Sequence, residues 1–522
     1  MKLTKYIGMV LLAGALTACG DDFLEVQNSS LATEVEVEDA TTKDPQGVLG
    51  SKLDGVYANL HFMSAGYGYY DCGLVGVMML SNNTSNDVSL HKGNSDPWHF
   101  DKQLEYYGQE YVRSAWGWKV FYAIIKGAND VIALLDPETP SVEARAMLGQ
   151  ALALRGLSYF YIAQMYQDTY VTSKDKLCAP IILTNKDENE SITGRATVEQ
   201  VYDQIVSDLN RAIGYLDGWE RSMKSQIDKQ VVQGILSRVY LVMHKWSKVI
   251  EMAQEARNGY NLMDAKTALE YNYQDVTNPE IMWGVDITTS TSMIYWSFQS
   301  WMCAQDYGYG GQVGYFGLID ANIYNAIPDN DVRKQLYVAP NTTFQAAEWE
   351  IPGYGNLKFK AKGAEEFLGD YIYMRSAEMY LNEAEALVRL GRETDAYAVL
   401  SELMKNRVLE GELQVKKATP ETVQMQRRIE LWGEGHSYFD HRRWQMDMNR
   451  GYEGTNEPPS SWPAHPGYTN GFVPWYHYSW RYQLPLSEIN DNEEITADDQ
   501  NVIGEEGNQD PVADKITDWS EK

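Results

Sequence analysis

Arg427-Arg428-Ile429-Glu430-Leu431-Trp432-Gly433-Glu434-Gly435-His436-Ser437-Tyr438-Phe439-Asp440-His441-Arg442-Arg443-Trp444 sets arginines, carboxylates and aromatic rings together in one short run. Thr419-Pro420 just upstream is a helix start, with threonine as cap and proline at the first helical position. The run therefore reads as a charged helix. On an exposed helix, opposite charges three or four residues apart stabilise by a few tenths of a kcal/mol each. Buried between helices, the same charges would instead set register at a desolvation cost. Either role is architectural. His436 and His441 are five residues apart, a poor spacing for one metal on one helix face.

Working outward, Arg375, Glu378 and Glu385 share a second charged helix, and its apolar stripe Ala377, Leu381, Ala384 and Val388 stops at Gly391. Ala396 to Leu403 returns as its partner. Val198, Val201, Ile205, Leu209, Ile213 and Leu216 step by three or four between Gly194 and Gly218, and Thr197 with Gln200 forms a capping box. Val231 to Met243 and Val249 to Ala256 make another pair, and helices are expected at Trp116–Leu135 and Ser141–Met165. Antiparallel pairs with small residues at their crossings are tetratricopeptide-like units, although no clean 34-residue period runs through the chain. Residues 60–105, 260–365 and 446–522 are rich in Gly, Asn, Asp, Pro and aromatics and read as loops on this platform.

The chain begins with Lys2 and Lys5, then the apolar run Ile7 to Leu16, then Thr17-Ala18-Cys19. Ten apolar residues are about half of the ~20 that a spanning helix needs, so the segment reads as an export signal. Leu16-Thr17-Ala18-Cys19 resembles the bacterial lipobox, which implies cleavage before Cys19 and a covalent lipid on its sulfur. The acidic Gly20-Asp21-Asp22 resembles a surface-export tag. Removing Lys2 and Lys5 takes the net charge from −29 to −31. Such a surface repels phosphate backbones, so nucleic acid is not an expected partner. Cys72, Cys178 and Cys303 show no metal-ligand spacing and are expected as buried thiols, a single bridge among them being the alternative. The expected divisions are residues 1–18 as signal peptide, 19–45 as lipidated tether, and 46–522 as one helical domain, its N-terminal part about 46–260 and its loop-rich part about 261–522.

The quoted run resembles the signature of the SusD/RagB family, R-R-x-E-L-x-x-E-G-x-R-x-x-D-x-x-R-W, with His436 and Ser437 near the position where the family often carries arginine. Other segments agree in order. Trp118, Tyr122, Ile125, Ala128 and Asn129 resemble one family helix, and Arg155, Tyr159, Phe160 and Tyr166 resemble the next, though Gln167-Asp168-Thr169-Tyr170 departs from its glycine-containing turn. Arg375 to Ala386 resembles R-x-A-E-x-Y-L-x-x-A-E-A, and Leu484-Pro485-Leu486-Ser487-Glu488-Ile489 with Gln500-Asn501 resembles the closing segment. The resemblance implies a mainly α fold of tetratricopeptide-like helix pairs, with long irregular ligand-binding loops and minor β. It also implies a lipid-anchored surface protein that binds glycan and docks on a SusC-like, TonB-dependent barrel in the outer membrane.

The 36 tyrosines and 15 tryptophans concentrate in loops. Sugar rings pack their C–H faces on flat aromatic rings while nearby polar groups take the hydroxyls. One cluster is Tyr67, Tyr69, Tyr70 and Asp71, with Trp98 beyond. A second is Tyr295, Trp296, Phe298 and Trp301, continuing to Tyr307, Tyr309 and Tyr315. A third is Trp475, Tyr476, Tyr478 and Trp480. The resemblance favours the first two for ligand and the third for packing. No G-x-S-x-G, H-E-x-x-H or P-loop is present, so catalysis is not expected. No cofactor is expected beyond the lipid on Cys19, and bound calcium is not predicted. Peptide in place of glycan, or a pure protein scaffold, are the competing readings.

Overall fold

The computed structural model describes residues 45–62, 72–89, 91, 98–105, 107–135, 141–185, 193–270, 273–305, 308–346, 348–362, 367–463, 465, 468–507 and 509. The segments expected as export signal and tether, through residue 44 and with Cys19 among them, lie outside these residues, as do Tyr67, Tyr69, Tyr70, Asp71 and Tyr307. Residues 1–51 and 52–522 form two units, and of the first only Pro45–Ser51, the opening of a helix, is described.

Among the helices are α1 (Pro45–His61), α2 (Leu74–Asn83), α3 (Val112–Leu134), α4 (Val142–Tyr166), α5 (Val198–Tyr215), α6 (Lys229–Val242), α7 (Trp246–Arg257), α8 (Phe298–Met302), α9 (Ser376–Arg389), α10 (Glu393–Lys405), α11 (Pro420–Glu430) and α12 (Ser437–Arg443). Antiparallel neighbours pack in succession, α3 on α4, α4 on α5, α6 on α7, α7 on α9 and α9 on α10. Both predicted caps are formed. Thr197 Oγ accepts from Gln200 N at 3.3 Å while Gln200 Oε1 accepts from Thr197 N at 2.9 Å, and Thr419 Oγ accepts from Thr422 N at 3.2 Å. No described helix is long and apolar enough to cross a membrane. Cys72, Cys178 and Cys303 are buried thiols.

Strands are few. β1 (Ile281–Val285) and β4 (Tyr371–Arg375) pair antiparallel with an irregular register, while β2 (Thr343–Gln345) and β3 (Glu350–Pro352) make a hairpin, Phe344 opposite Ile351.

β1, β2, β3 and α8 form inside the predicted loop region 260–365, and two further departures have a local cause. α2 lies inside a predicted loop region, because Leu74-Val75-Gly76-Val77-Met78-Met79-Leu80 is buried on every side and has no polar face to give it a period. The run 427–444 is two helices. α11 ends at Glu430, and Gly433 and Gly435 carry the chain through left-handed backbone, φ 76° and 85°, before α12. A Cβ on Gly433 would stand 2.7 Å from Phe359, and one on Gly435 2.7 Å from Met78, so the turn needs glycine for space as well as for φ.

The charges of this run pair across elements. Glu430 on α11 accepts from Arg407 Nη2 at 2.8 Å, Arg333 Nη1 at 3.1 Å and Arg375 Nη1 at 3.1 Å, and all four residues are buried. Arg375 also grips Glu434 (2.7 and 2.8 Å) and Glu280 (2.5 Å), and Lys358 reaches Glu434 at 2.5 Å. A second cluster joins Arg443 to Glu385 (2.5 and 2.8 Å) and Asp440, and Arg427 to Asp440 at 2.6 Å. Arg238 clamps Glu378 through two bonds of 2.7 and 2.6 Å. Burial pushes the Glu430 carboxyl up, but Arg407, Arg375 and Arg333 overcome it and hold it well below the carboxylate range. For Glu385 burial is likewise outweighed by Arg443, leaving the carboxyl at about 2.

Glu430→Gln leaves three buried guanidiniums short of their shared anion and is expected to cost about 3–5 kcal/mol in urea unfolding. Because the folded carboxyls titrate below their unfolded value, their stabilisation is complete above pH ~4.3 and is lost as pH falls below it. Urea midpoints should stay level from pH 7 to 5 and drop by pH 3.5, and Glu385→Gln should flatten that drop.

Candidate functional site

The second aromatic cluster is built on one short segment. Ser297 caps α8, its Oγ accepting from Ser300 N at 3.1 Å, and Ser300 Oγ donates back to Ile294 O at 2.6 Å. This closes the turn Ile294–Trp296 ahead of the helix. Ile294 sits there at φ 51°, a left-handed conformation that costs a β-branched residue on the order of 1–3 kcal/mol, and the serine bonds hold it. The turn lifts Tyr295 to 48% exposure. Asp370 braces the chain on either side of β1, its carboxylate accepting from Ile287 N at 2.9 Å and Val276 N at 2.8 Å.

Tyr309 meets Tyr295 from the other side, ring centroids 4.9 Å apart, and Phe367 flanks Tyr295 at 5.0 Å. Beneath them Trp301 stands edge-on to Tyr309 at 5.5 Å and to Tyr315 at 5.8 Å. Tyr315 is buried and donates to Asn83 Oδ1 at 2.9 Å, which ties the arc to α2.

Glycines at 308, 310 and 311 let Tyr309 come this close. A Cβ at 308 would fall 1.9 Å from Cys303 O, at 310 it would fall 2.9 Å from Tyr315 O, and at 311 it would enter the Trp349 indole at 2.5 Å. Trp349 reaches in from the β2–β3 hairpin, donating Nε1–H to Ala304 O at 2.9 Å, and is only partly buried.

The structure thus brings Tyr295, Tyr309 and Trp301 together. Tyr295 is exposed, Tyr309 and Trp296 are partly so, and Trp301 is 3% exposed. Trp296 receives Cys72 Sγ on its carbonyl at 3.1 Å. Trp98 is 1% exposed, its ring covered by the Arg113 guanidinium at 4.7 Å. Both Trp98 and Trp301 therefore present no open face, Trp98 being covered by Arg113 and Trp301 spent on packing beneath Tyr309 and Tyr315. Tyr67, Tyr69, Tyr70, Asp71 and Tyr307 fall outside the described residues. In the third cluster Trp480 is buried and donates to Pro474 O at 2.9 Å, while Trp475, Tyr476 and Tyr478 are partly exposed.

Trp349, and Phe344 at 39% exposure on the same hairpin, escaped the sequence reading. A tryptophan flanked by Glu348 and Glu350 was the available signal, and only the fold sets it on Gly311. No group of three or more His, Cys, Asp or Glu side chains among the described residues is placed to hold a metal ion. The site is an aromatic surface with hydroxyl and indole N–H groups, suited to binding.

Residues 22–241 match a family model described as starch-binding and associating with the outer membrane, and residues 352–503 match that of the SusD family. A SusD-like protein of Bacteroides ovatus is 22% identical over 254 residues, covering 47% of this chain and 40% of its own length. The chain therefore spans less than half of that curated relative. A SusD-like carbohydrate-binding protein from Bacteroides vulgatus has a structure matching at TM-score 0.73, with 24% identity, over 87% of this chain and 98% of its own. A surface glycan-binding protein A from Bacteroides uniformis matches at TM-score 0.63, with 18% identity, over 87% and 98%. At these identities the likeness to the solved structures establishes a shared fold.

Gly311→Ala drives a methyl into the Trp349 ring and is expected to cost about 1–3 kcal/mol by overpacking, with a loss of near-UV tryptophan ellipticity as the indole moves. Gly259→Ala, whose Cβ meets open space, serves as the comparison for backbone strain alone.

Proposed function

We propose, from the premise that this chain belongs to the SusD/RagB family, that it is a surface lipoprotein which captures oligosaccharide or polysaccharide and passes it to a SusC-like TonB-dependent transporter. Lipid on Cys19 would hold the chain to the outer membrane, facing the exterior, after removal of residues 1–18. Residues 19–45 then serve as the tether and 46–522 as the binding domain. The role is capture, without catalysis.

One observation carries the reading: Tyr295 and Tyr309 stand as adjacent, solvent-facing rings on a rigid, close-packed base. A pyranose laid on them would bury its C–H face while leaving its hydroxyls to water and neighbouring polar groups. The base holds the two rings in one fixed edge-to-face contact, so little ordering cost falls on binding. Relatives of this fold are described as carbohydrate- and glycan-binding, which supports the same ligand class.

Affinity gels carrying neutral polysaccharides should retard the protein, and Tyr295→Ala with Tyr309→Ala should weaken retention of the responsive glycan by about tenfold or more, the loss of two ring contacts of about 1 kcal/mol each. Trp301→Ala should lower the melting temperature, which the tyrosine variants should not. Retardation unchanged in the double variant would move the site elsewhere, and binding to a mixed-peptide column alone would replace the ligand class.

A further inference from the structure

A second cleft lies on the helical platform, built from elements that the aromatic arc does not use. It encloses about 560 Å³, within the range of small-molecule sites, where the turn after α5 meets the first turns of α6 and the end of α7. Its floor is Gln233, 5% exposed, whose carboxamide makes no hydrogen bond to any described residue. The carboxamide keeps its contact with the cleft, so its donor and acceptor positions are open to a ligand there. Trp219 forms one wall. Its indole is partly exposed, with no aromatic or cationic partner and no acceptor for Nε1–H among the described residues.

The walls are held in place beforehand. Arg221 fixes the Trp219 loop, bonding Asp228 Oδ2 at 2.9 Å, Tyr260 Oη at 2.8 Å and Gln226 O at 3.0 Å. Gln230 spans from α6 to the Asn258 carbonyl at the end of α7. Arg221 and Lys229 are each neutralised by an aspartate, Lys229 by Asp217 at 2.7 Å, which leaves the Glu255 and Glu220 carboxylates as the unpaired charges on the lining. An anion would be repelled here. A flat indole face beside an open carboxamide suits a neutral ring carrying hydroxyl groups.

We propose that this cleft is a second saccharide subsite, with Trp219 as the platform for a neutral sugar ring and Gln233 as the partner of its hydroxyls. The assignment rests on the reading that the protein binds saccharides and adds a site independent of the tyrosine arc.

The test is ¹⁹F NMR of the 5-fluorotryptophan-labelled protein in detergent, with the Trp219 resonance identified by its disappearance in Trp219→Phe. Maltotriose, laminaritriose, cellotriose and N-acetylglucosamine are titrated singly. At least one should shift the Trp219 resonance saturably, and the shift should survive in the Tyr295→Ala, Tyr309→Ala variant. Gln233→Leu should weaken that titration about three- to tenfold, as expected for the loss of one or two neutral hydrogen bonds, with an unchanged melting temperature. A Trp219 resonance that stays still while Trp296 or Trp301 responds to a sugar overturns the subsite and leaves the importer reading intact. No sugar response from any tryptophan, with none on affinity gels, overturns the saccharide reading and the subsite with it. A Trp219 shift that Gln233→Leu leaves untouched overturns the role given to Gln233.

Discussion

The Glu430 carboxylate, shared among Arg333, Arg375 and Arg407, is the interaction on which the rest of this structure depends. Taking four charges out of water costs several kcal/mol per ion, and the attraction offsets that only when every group is in its place. Packing of apolar stripes tolerates small slides between helices, whereas these charges have one satisfactory arrangement. They join α11 to β4, to the segment before Tyr337 and to Arg407, two residues beyond α10, four regions apart in sequence.

From there the constraint reaches the aromatic arc through a short chain of contacts. Glu434, gripped by Arg375, holds the Lys358 ammonium, which also donates to the carbonyls of Glu430 and Trp432. The next residue, Phe359, fills the space that Gly433 leaves and packs edge-on against Phe298 at 5.2 Å. Phe298 opens α8, whose Trp301 supports Tyr309. A loop region with little secondary structure of its own thus receives fixed geometry from a buried ionic core. The arc consequently has two layers, buried rings that are spent on packing and tyrosines that remain open.

Much of the fold was legible because helices announce themselves by period. The apolar stripe at Val198–Leu216 alternates with exposed polar residues, and that at Ala377–Val388 with Glu378, Asn382, Glu383 and Glu385, so in both the apolar residues recur every three or four positions. α2 has no such signature, being surrounded by protein. The run 427–444 reads as one helix because its charges obey helical spacing, and the two glycines that break it are needed by Phe359 and Met78, partners remote in sequence. The candidate site was legible at the level of segments. Tyr295, Trp296 and Tyr309 were found as loop aromatics, but aromatic content says nothing of which ring is covered. Trp98 lies under Arg113, and Trp349 comes to Gly311 from a hairpin some forty residues on.

What the sequence by itself determined is the family signature, the helical-pair platform, the caps at Thr197 and Thr419, and the presence of aromatic, glycine-rich loops, all encoded by neighbours within a few residues of one another. Tertiary structure alone decided which charges pair, which rings stay exposed, and that Gln233 and Trp219 line one cleft. Those outcomes depend on residues brought together across tens to hundreds of positions, where the free energy of burial is set by the partner that arrives and not by the residue type.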